Sequence, residues 1–178
     1  MDTTLEARLS QIQVLLCDVD GILTDASVFI GEAGEFKRFN ILDGLGIAIL
    51  RGEGVKVGWI SNRYSLATQR RAEELKIDFL FQKPGSKIDA AKQYLDQLGL
   101  SFEHACYMGD DIVDIGLLRL AGLAVSVPNG HPEARAAAHH ITQAAGGHGA
   151  VREVVELILK ARNRWEQLVA DYARHGSH

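Results

Sequence analysis

Three observations predict an α/β fold for this chain of 178 residues, with a doubly wound, mainly parallel sheet. Short apolar runs alternate with longer segments patterned at helical spacing, as strands do when crossover helices separate them. The clearest runs end in polar groups, at Asp18, Ser61 and Asp110. Polar endings of this kind belong at the carboxyl edge of a parallel sheet, where such folds bind ligands. The composition, 47% hydrophobic and 24% charged, is that of a globular protein with enough length to bury a core. One domain is expected over residues 1–178, with its core at about 13–160.

The elements are predicted in order. Leu15 to Val19 is the first strand, its apolar start Val14-Leu15-Leu16-Cys17 running into Asp18-Val19-Asp20-Gly21. Ser27 to Ile30 and Glu35 to Asn40 alternate about Gly31-Glu32-Ala33-Gly34 and read as an inserted β-hairpin over about 27–40. Leu45 to Glu53 has helical character, and Val55 to Ile60 is the second buried strand. A helix runs from Ser65 to Leu75, and Phe79 to Phe81 is a short strand. Ser86 caps a helix that reaches Leu98 and stops at Gly99. Ala105 to Met108 is a strand, a helix follows to Ala121, and Ala124 to Val127 is the next strand. Pro132 to Ala138 is a short helix and Ile141-Thr142 an edge strand. Ala150 to about Ala173 reads as one long amphipathic helix, with Val151, Val154, Val155, Ile158, Leu159 and Trp165 on its apolar side. Gly176-Ser177-His178 reads as a frayed end.

Composition excludes some classes of function. A net charge of −4 opposes nucleic acid as an electrostatic partner. No apolar run approaches the roughly 20 residues that span a bilayer, and Met1-Asp2-Thr3-Thr4-Leu5-Glu6 has no basic start or signal core, so no membrane partner and a cytoplasmic location are expected. Cys17 and Cys106 lie in apolar runs and read as small buried hydrophobes.

The chemistry gathers at the predicted strand ends. Asp18 and Asp20 are spaced to share one side of a strand tip, where two carboxylates need a cation or a shared proton. Taken alone, the pair reads equally well as an Asx-turn. Asp110, Asp111 and Asp114 follow the strand at 105–108, Ser61 follows the second strand, and Lys87 opens the helix between them. Lys83 competes with Lys87 for that place. His139-His140 lacks i, i+4 spacing or nearby carboxylates and reads as surface, and His131 and His148 are not expected to carry acid–base work.

In this order the segments Asp18-Val19-Asp20-Gly21-Ile22-Leu23-Thr24-Asp25, Ser61, Lys87 and Gly109-Asp110-Asp111-Ile112-Val113-Asp114 resemble the four motifs of the haloacid dehalogenase superfamily of phosphohydrolases. The resemblance implies an aspartyl-phosphate mechanism. Asp18 is then the nucleophile, and Asp20 protonates the leaving group and deprotonates water. Mg²⁺ is held by Asp18, the Asp20 carbonyl and Asp110. Lys87 neutralises charge and Ser61 donates to a phosphoryl oxygen. Asp111 and Asp114 orient Lys87 and metal-bound water.

Only 36 positions separate Asp25 from Ser61, and 26 separate Ser61 from Lys87, so no cap domain fits. The hairpin, with Asp43-Gly44-x-Gly46-Ile47 and Gly146-Gly147-His148-Gly149, is similar to the capless branch that dephosphorylates 3-deoxy-D-manno-octulosonate 8-phosphate. This resemblance implies a role in lipopolysaccharide precursor biosynthesis. It also implies a homotetramer built by the hairpins, with Val28, Ile30, Phe36 and Phe39 as its apolar surface. Asn62, Arg63 and Arg71 are then the candidate substrate-binding residues, with Arg63 for the sugar acid's carboxylate. The chain departs from that branch at Ser61-Asn62, where Thr-Gly is commoner, and at Leu42 and His148, where arginine is frequent. Two alternatives stay open: a nine-carbon ulosonate 9-phosphate as substrate, and a non-catalytic tetramerising module partnering a sugar nucleotidyltransferase.

Overall fold

A computed structural model describes residues 3–32 and 34–175. Gly176-Ser177-His178 and Ala33 of the predicted hairpin tip lie outside the described residues, as do Met1 and Asp2.

Six parallel strands form the main sheet: β1 (Val14–Cys17), β4 (Lys56–Ser61), β5 (Phe79–Gln82), β6 (Ala105–Met108), β7 (Leu123–Ser126) and β8 (His140–Ile141). Their spatial order is β5-β4-β1-β6-β7-β8, so β1 is central and the order reverses beside it. A separate antiparallel ribbon, β2 (Phe29–Gly31) with β3 (Gly34–Phe36), is the inserted hairpin.

Strand alternation feeds two apolar layers. Leu15 and Cys17 of β1, Val57 and Trp59 of β4, and Cys106 and Met108 of β6 pack on one face. That face is covered by α1 (Thr3–Gln11), α2 (Ile41–Gly52), α7 (Ala150–Ala161) and α8 (Trp165–His175). Val14, Leu16, Ile60 and Tyr107 face the other side, against α4 (Lys87–Leu98), α5 (Ile115–Leu120) and α6 (Pro132–Ala136). The last helix of the set, α3 (Leu66–Glu74), follows β4. Both cysteines are free and buried, as expected, and burial pushes their thiols above the ordinary range.

Four elements differ from expectation. The long C-terminal helix is broken in two: Arg162 ends α7, Asn163 is left-handed (φ 56°), and the Arg164 N–H returns to the Leu159 carbonyl (2.9 Å). α2 begins at Ile41 rather than Leu45, because the Asn40 side chain caps the Leu42 N–H (2.8 Å) while its first-turn apolar residues stay exposed. α1 was not expected, and its only buried residue is Leu9. Phe39 leaves the hairpin and stacks on Trp59 at 6.1 Å, so Phe29, paired with Phe36 across the ribbon, takes its place on the exposed hairpin surface.

Candidate active site

β1 sets the position of Asp18. The Asp18 N–H donates to the Met108 carbonyl of β6 (2.9 Å), which extends the ladder one residue and pins Asp18 at the tip of the central strand. The chain then turns tightly, closed by the Thr24 N–H on the Val19 carbonyl (3.1 Å). Gly21 (φ 110°) lets this turn pass against Asp110, since a Cβ there would lie 2.0 Å from an Asp110 carboxylate oxygen. On the other side, a Cβ on Gly146 would fall 1.7 Å from the Gly21 carbonyl. The glycine-rich turn ahead of α7 therefore packs backbone to backbone against the Asp20 loop.

Lys87 is the first residue of α4, whose N-terminus is capped by Ser86 as predicted, with the Asp89 N–H donating to its hydroxyl (3.1 Å). Its buried Nζ donates to Asp18 Oδ1 (2.6 Å) and to Asp114 Oδ1 (2.7 Å). Lys83 points elsewhere, over the Phe81 ring at 5.5 Å. Asp114 is saturated. Its Oδ1 also accepts from the Tyr107 hydroxyl (2.5 Å), and its Oδ2 accepts the N–H groups of Asp110 and Asp111 (3.1 Å each).

Asp18, Asp110 and Asp114 each bring one carboxylate oxygen within 4.8 Å of the others. Three carboxylates share one contacting ammonium, and the electrostatics show the shortfall. Burial pushes Asp18 up to about 8, more than Lys87 offsets, with Asp114 adding to the rise. Burial likewise pushes Asp110 up to about 7, helped by the charges of Asp114 and Asp111. For Lys87 burial works downward, but the carboxylates of Asp18 and Asp114 outweigh it and hold the ammonium above its ordinary value.

These residues fit a hard divalent cation. Asp110 Oδ1 is buried with no hydrogen-bond partner, an oxygen donor in want of a positive ligand. Asp114 is the weaker candidate ligand despite its proximity, because both its oxygens are already engaged. Asp111 does not orient Lys87 as expected. It is exposed and accepts the Ile112 N–H (2.7 Å), so it caps the turn that Asp114 closes.

The remaining predicted residues are distributed around this cluster. Cys17 lies beside Trp59 in the parallel register, so Ser61 ends β4 level with the residue after Asp18. The Ser61 hydroxyl accepts the Arg63 N–H (3.1 Å) and donates to the Arg63 carbonyl (3.2 Å). Asn62 is exposed at the mouth of this loop. Arg63 Nη1 donates to Glu35 Oε1 of the hairpin (3.0 Å), and Nη2 to Oε2. This fork holds Glu35 below the usual carboxylate range and Arg63 above its own. Arg71 is not brought into the cluster. Its Nη1 pairs with Glu74 (2.7 Å), and it lines a groove of about 390 Å³ between β3 and α3. His131 pairs with Glu133, and His148 contacts Arg38 and the Gly146 carbonyl, outside any acid–base arrangement.

Sequence reasoning missed Lys37. Its ammonium pairs with Asp20 Oδ1 at 2.6 Å, although a lysine between two phenylalanines of a hairpin arm reads as solvent-facing. Glu35, the partner of Arg63, was missed for the same reason.

A family profile for haloacid dehalogenase-like hydrolases matches residues 61–154. A 3-deoxy-D-manno-octulosonate 8-phosphate phosphatase from Yersinia pestis is 38% identical over 160 residues, 89% of this chain and 86% of that protein. Among solved structures, the same phosphatase from Moraxella catarrhalis, in complex with magnesium ion, phosphate ion and KDO, superposes with a TM-score of 0.93 at 38% identity. That match covers 97% of this chain and 99% of the other. A cobalt-bound form from Haemophilus influenzae gives 0.85 at 33% identity over 89% and 93%.

Proposed function

The chain belongs to the 3-deoxy-D-manno-octulosonate 8-phosphate phosphatases among the haloacid dehalogenase-like hydrolases, and from that premise we infer what its own residues do. It is a Mg²⁺-dependent phosphoric monoester hydrolase that releases phosphate and the free eight-carbon sugar acid, a step of lipopolysaccharide precursor biosynthesis. The observation that carries this reading is the Lys87 ammonium bridging Asp18 and Asp114 beside the unpartnered oxygen of Asp110.

Asp18 attacks phosphorus, and the ester P–O bond breaks as the aspartyl–phosphate bond forms. Asp20 gives its proton to the departing alkoxide, then takes one from water so that the resulting hydroxide displaces phosphate and frees Asp18. Lys87 holds the Asp18 carboxylate in line and balances gathered charge, while Asp114 fixes Lys87. Ser61 and the backbone after it donate to a phosphoryl oxygen. Mg²⁺, held by Asp18, Asp110 and the Asp20 carbonyl, supplies Lewis-acid neutralisation between nucleophile and phosphoryl group. Arg63 and Asn62 face the mouth, where the sugar acid's carboxylate arrives.

The eight-carbon substrate is favoured over a nine-carbon ulosonate by the substrate of the relatives. A non-catalytic role is disfavoured by the intact set Asp18, Asp20, Lys87 and Asp110. The test is phosphate release from a panel of ulosonate phosphates with Mg²⁺. The eight-carbon ester should be turned over best, and a clear preference for the nine-carbon ester would replace this substrate with the other.

A homotetramer built on the hairpins is part of the proposal. Phe29 and Phe36 are each 58% exposed and Ile30 is 84% exposed, on a ribbon whose two strands, among the described residues, pair only with each other. Light scattering should find four copies, and Ile30→Asp should give smaller species. No described helix is long and apolar enough to cross a membrane.

A further inference from the structure

We propose that Lys37 is a positioning residue for the acid–base carboxylate, holding Asp20 in its working orientation from the inserted hairpin. The inference rests on the phosphatase reading above, and specifically on Asp20 as proton donor. The Lys37 backbone is partly open to solvent, yet its side chain is 0% exposed. A buried ammonium is costly unless charge and hydrogen bonds compensate it. Here Asp20 Oδ1 at 2.6 Å supplies the charge, the Thr68 hydroxyl of α3 accepts at 3.3 Å, and Glu35 Oε1 lies further off at 4.0 Å. The ammonium is thus anchored from three elements: the catalytic turn, the hairpin and α3.

The consequence concerns rotation. The terminal torsion of an aspartate is broad, so an untethered carboxyl at a loop samples many orientations. A general acid must lie within hydrogen-bond reach of the oxygen it protonates, and a misplacement of about 1 Å can cost on the order of 10²-fold. Tying one Asp20 oxygen to a fixed cation narrows that search. It also explains why a hairpin that adds nothing to the main sheet carries a buried charge toward the site. Lys87 does the corresponding work for Asp18.

The test compares leaving groups. Lys37→Met keeps the shape of the stem and removes the cation. In single turnover it should slow release of the sugar acid, an alkoxide leaving group, by roughly 10–100-fold, while the burst of p-nitrophenolate, which needs little protonation, changes by less than about threefold. In an Asp20→Asn background the same substitution should add almost nothing on either substrate, because the carboxylate it positions is gone. Thr68→Val, which leaves the ammonium but removes its second anchor, should show the same bias at smaller size and carries the test if Lys37→Met does not fold. Equal losses of single-turnover leaving-group release on both substrates, or losses that add in the double variant, would overturn the positioning role while leaving the phosphatase reading intact. An Asp20→Asn variant indifferent to leaving group would instead remove the acid–base assignment, and Lys37's role with it.

Discussion

Two groups of charges flank the tip of β1, and they are built differently. Behind it, Asp18, Asp114 and Lys87 are buried and interlocked, with every bond made inside the protein. In front, Arg63 and Glu35 pair across the mouth, with the arginine side chain 44% exposed. Buried charges cannot exchange partners without leaving one unpaired, so the inner group is rigid and suits bond making and breaking. Exposed charges trade a protein partner for a ligand or water at little cost, so the outer group suits recognition. The same ion-pair chemistry does different work according to burial.

The inner group should be the more fragile, and Asp18→Asn tests it hardest. Loss of the nucleophile should reduce turnover by on the order of 10⁴-fold or more, with the fold retained. Substantial activity in a clean Asp18→Asn preparation would break the assignment of chemistry to this end. Lys87→Met comes next. It should cost on the order of 10²–10³-fold in kcat, and about 3–5 kcal/mol of metal-free stability by stranding Asp18 and Asp114, as urea unfolding can measure.

Metal and pH sharpen the contrast further. Asp18 and Asp110 have folded pKa values raised to about 8 and about 7, above their unfolded values near 4. Between those limits the native metal-free protein holds more protons than the unfolded chain, so its stability falls as pH rises across the window. A bound cation takes the place of those protons and removes the penalty. The rise in Tm on adding Mg²⁺ should therefore be larger at pH 8 than at pH 5, the stabilisation reaching about 2–3 kcal/mol at roughly 100 times Kd. A shift independent of pH would mean that the raised carboxyls are not the ligands.

The two groups also differed in how far the sequence revealed them. The positions of Asp18 and Asp110 were legible because each ends or follows an apolar run, and that of Lys87 because Ser86 marks the start of the helix it opens, as Gly99 marks its end; the roles given to them came from the resemblance. Lys37 and Glu35 were not, since their environment exists only once the hairpin folds over α3. The break between α7 and α8 was hidden too. No Gly or Pro marks it, Asn163 adopts the left-handed turn instead, and the apolar period resumes at Trp165 and Leu168. Phe39 followed the alternation of a strand but was captured by Trp59, a contact between residues 20 positions apart.

The smallest expected effect lies in the outer group, and it decides whether recognition is separable from chemistry. Arg63→Ala should lower kcat/KM on the sugar acid by about 10–100-fold, the size of a charged hydrogen-bonded contact, with most of the change in KM. p-Nitrophenyl phosphate carries no carboxylate and should change by less than about twofold. Glu35 already occupies the Arg63 guanidinium, so an arriving carboxylate must displace it, and the gain on binding is an exchange rather than a new contact. Glu35→Gln weakens the occupant and should move KM for the sugar acid in the opposite direction, by a few-fold. Both variants impaired alike on the two substrates would mean that the Arg63–Glu35 pair braces the Ser61 loop for catalysis. In that case the division between an inner, chemical group and an outer, recognising one would not hold at this site.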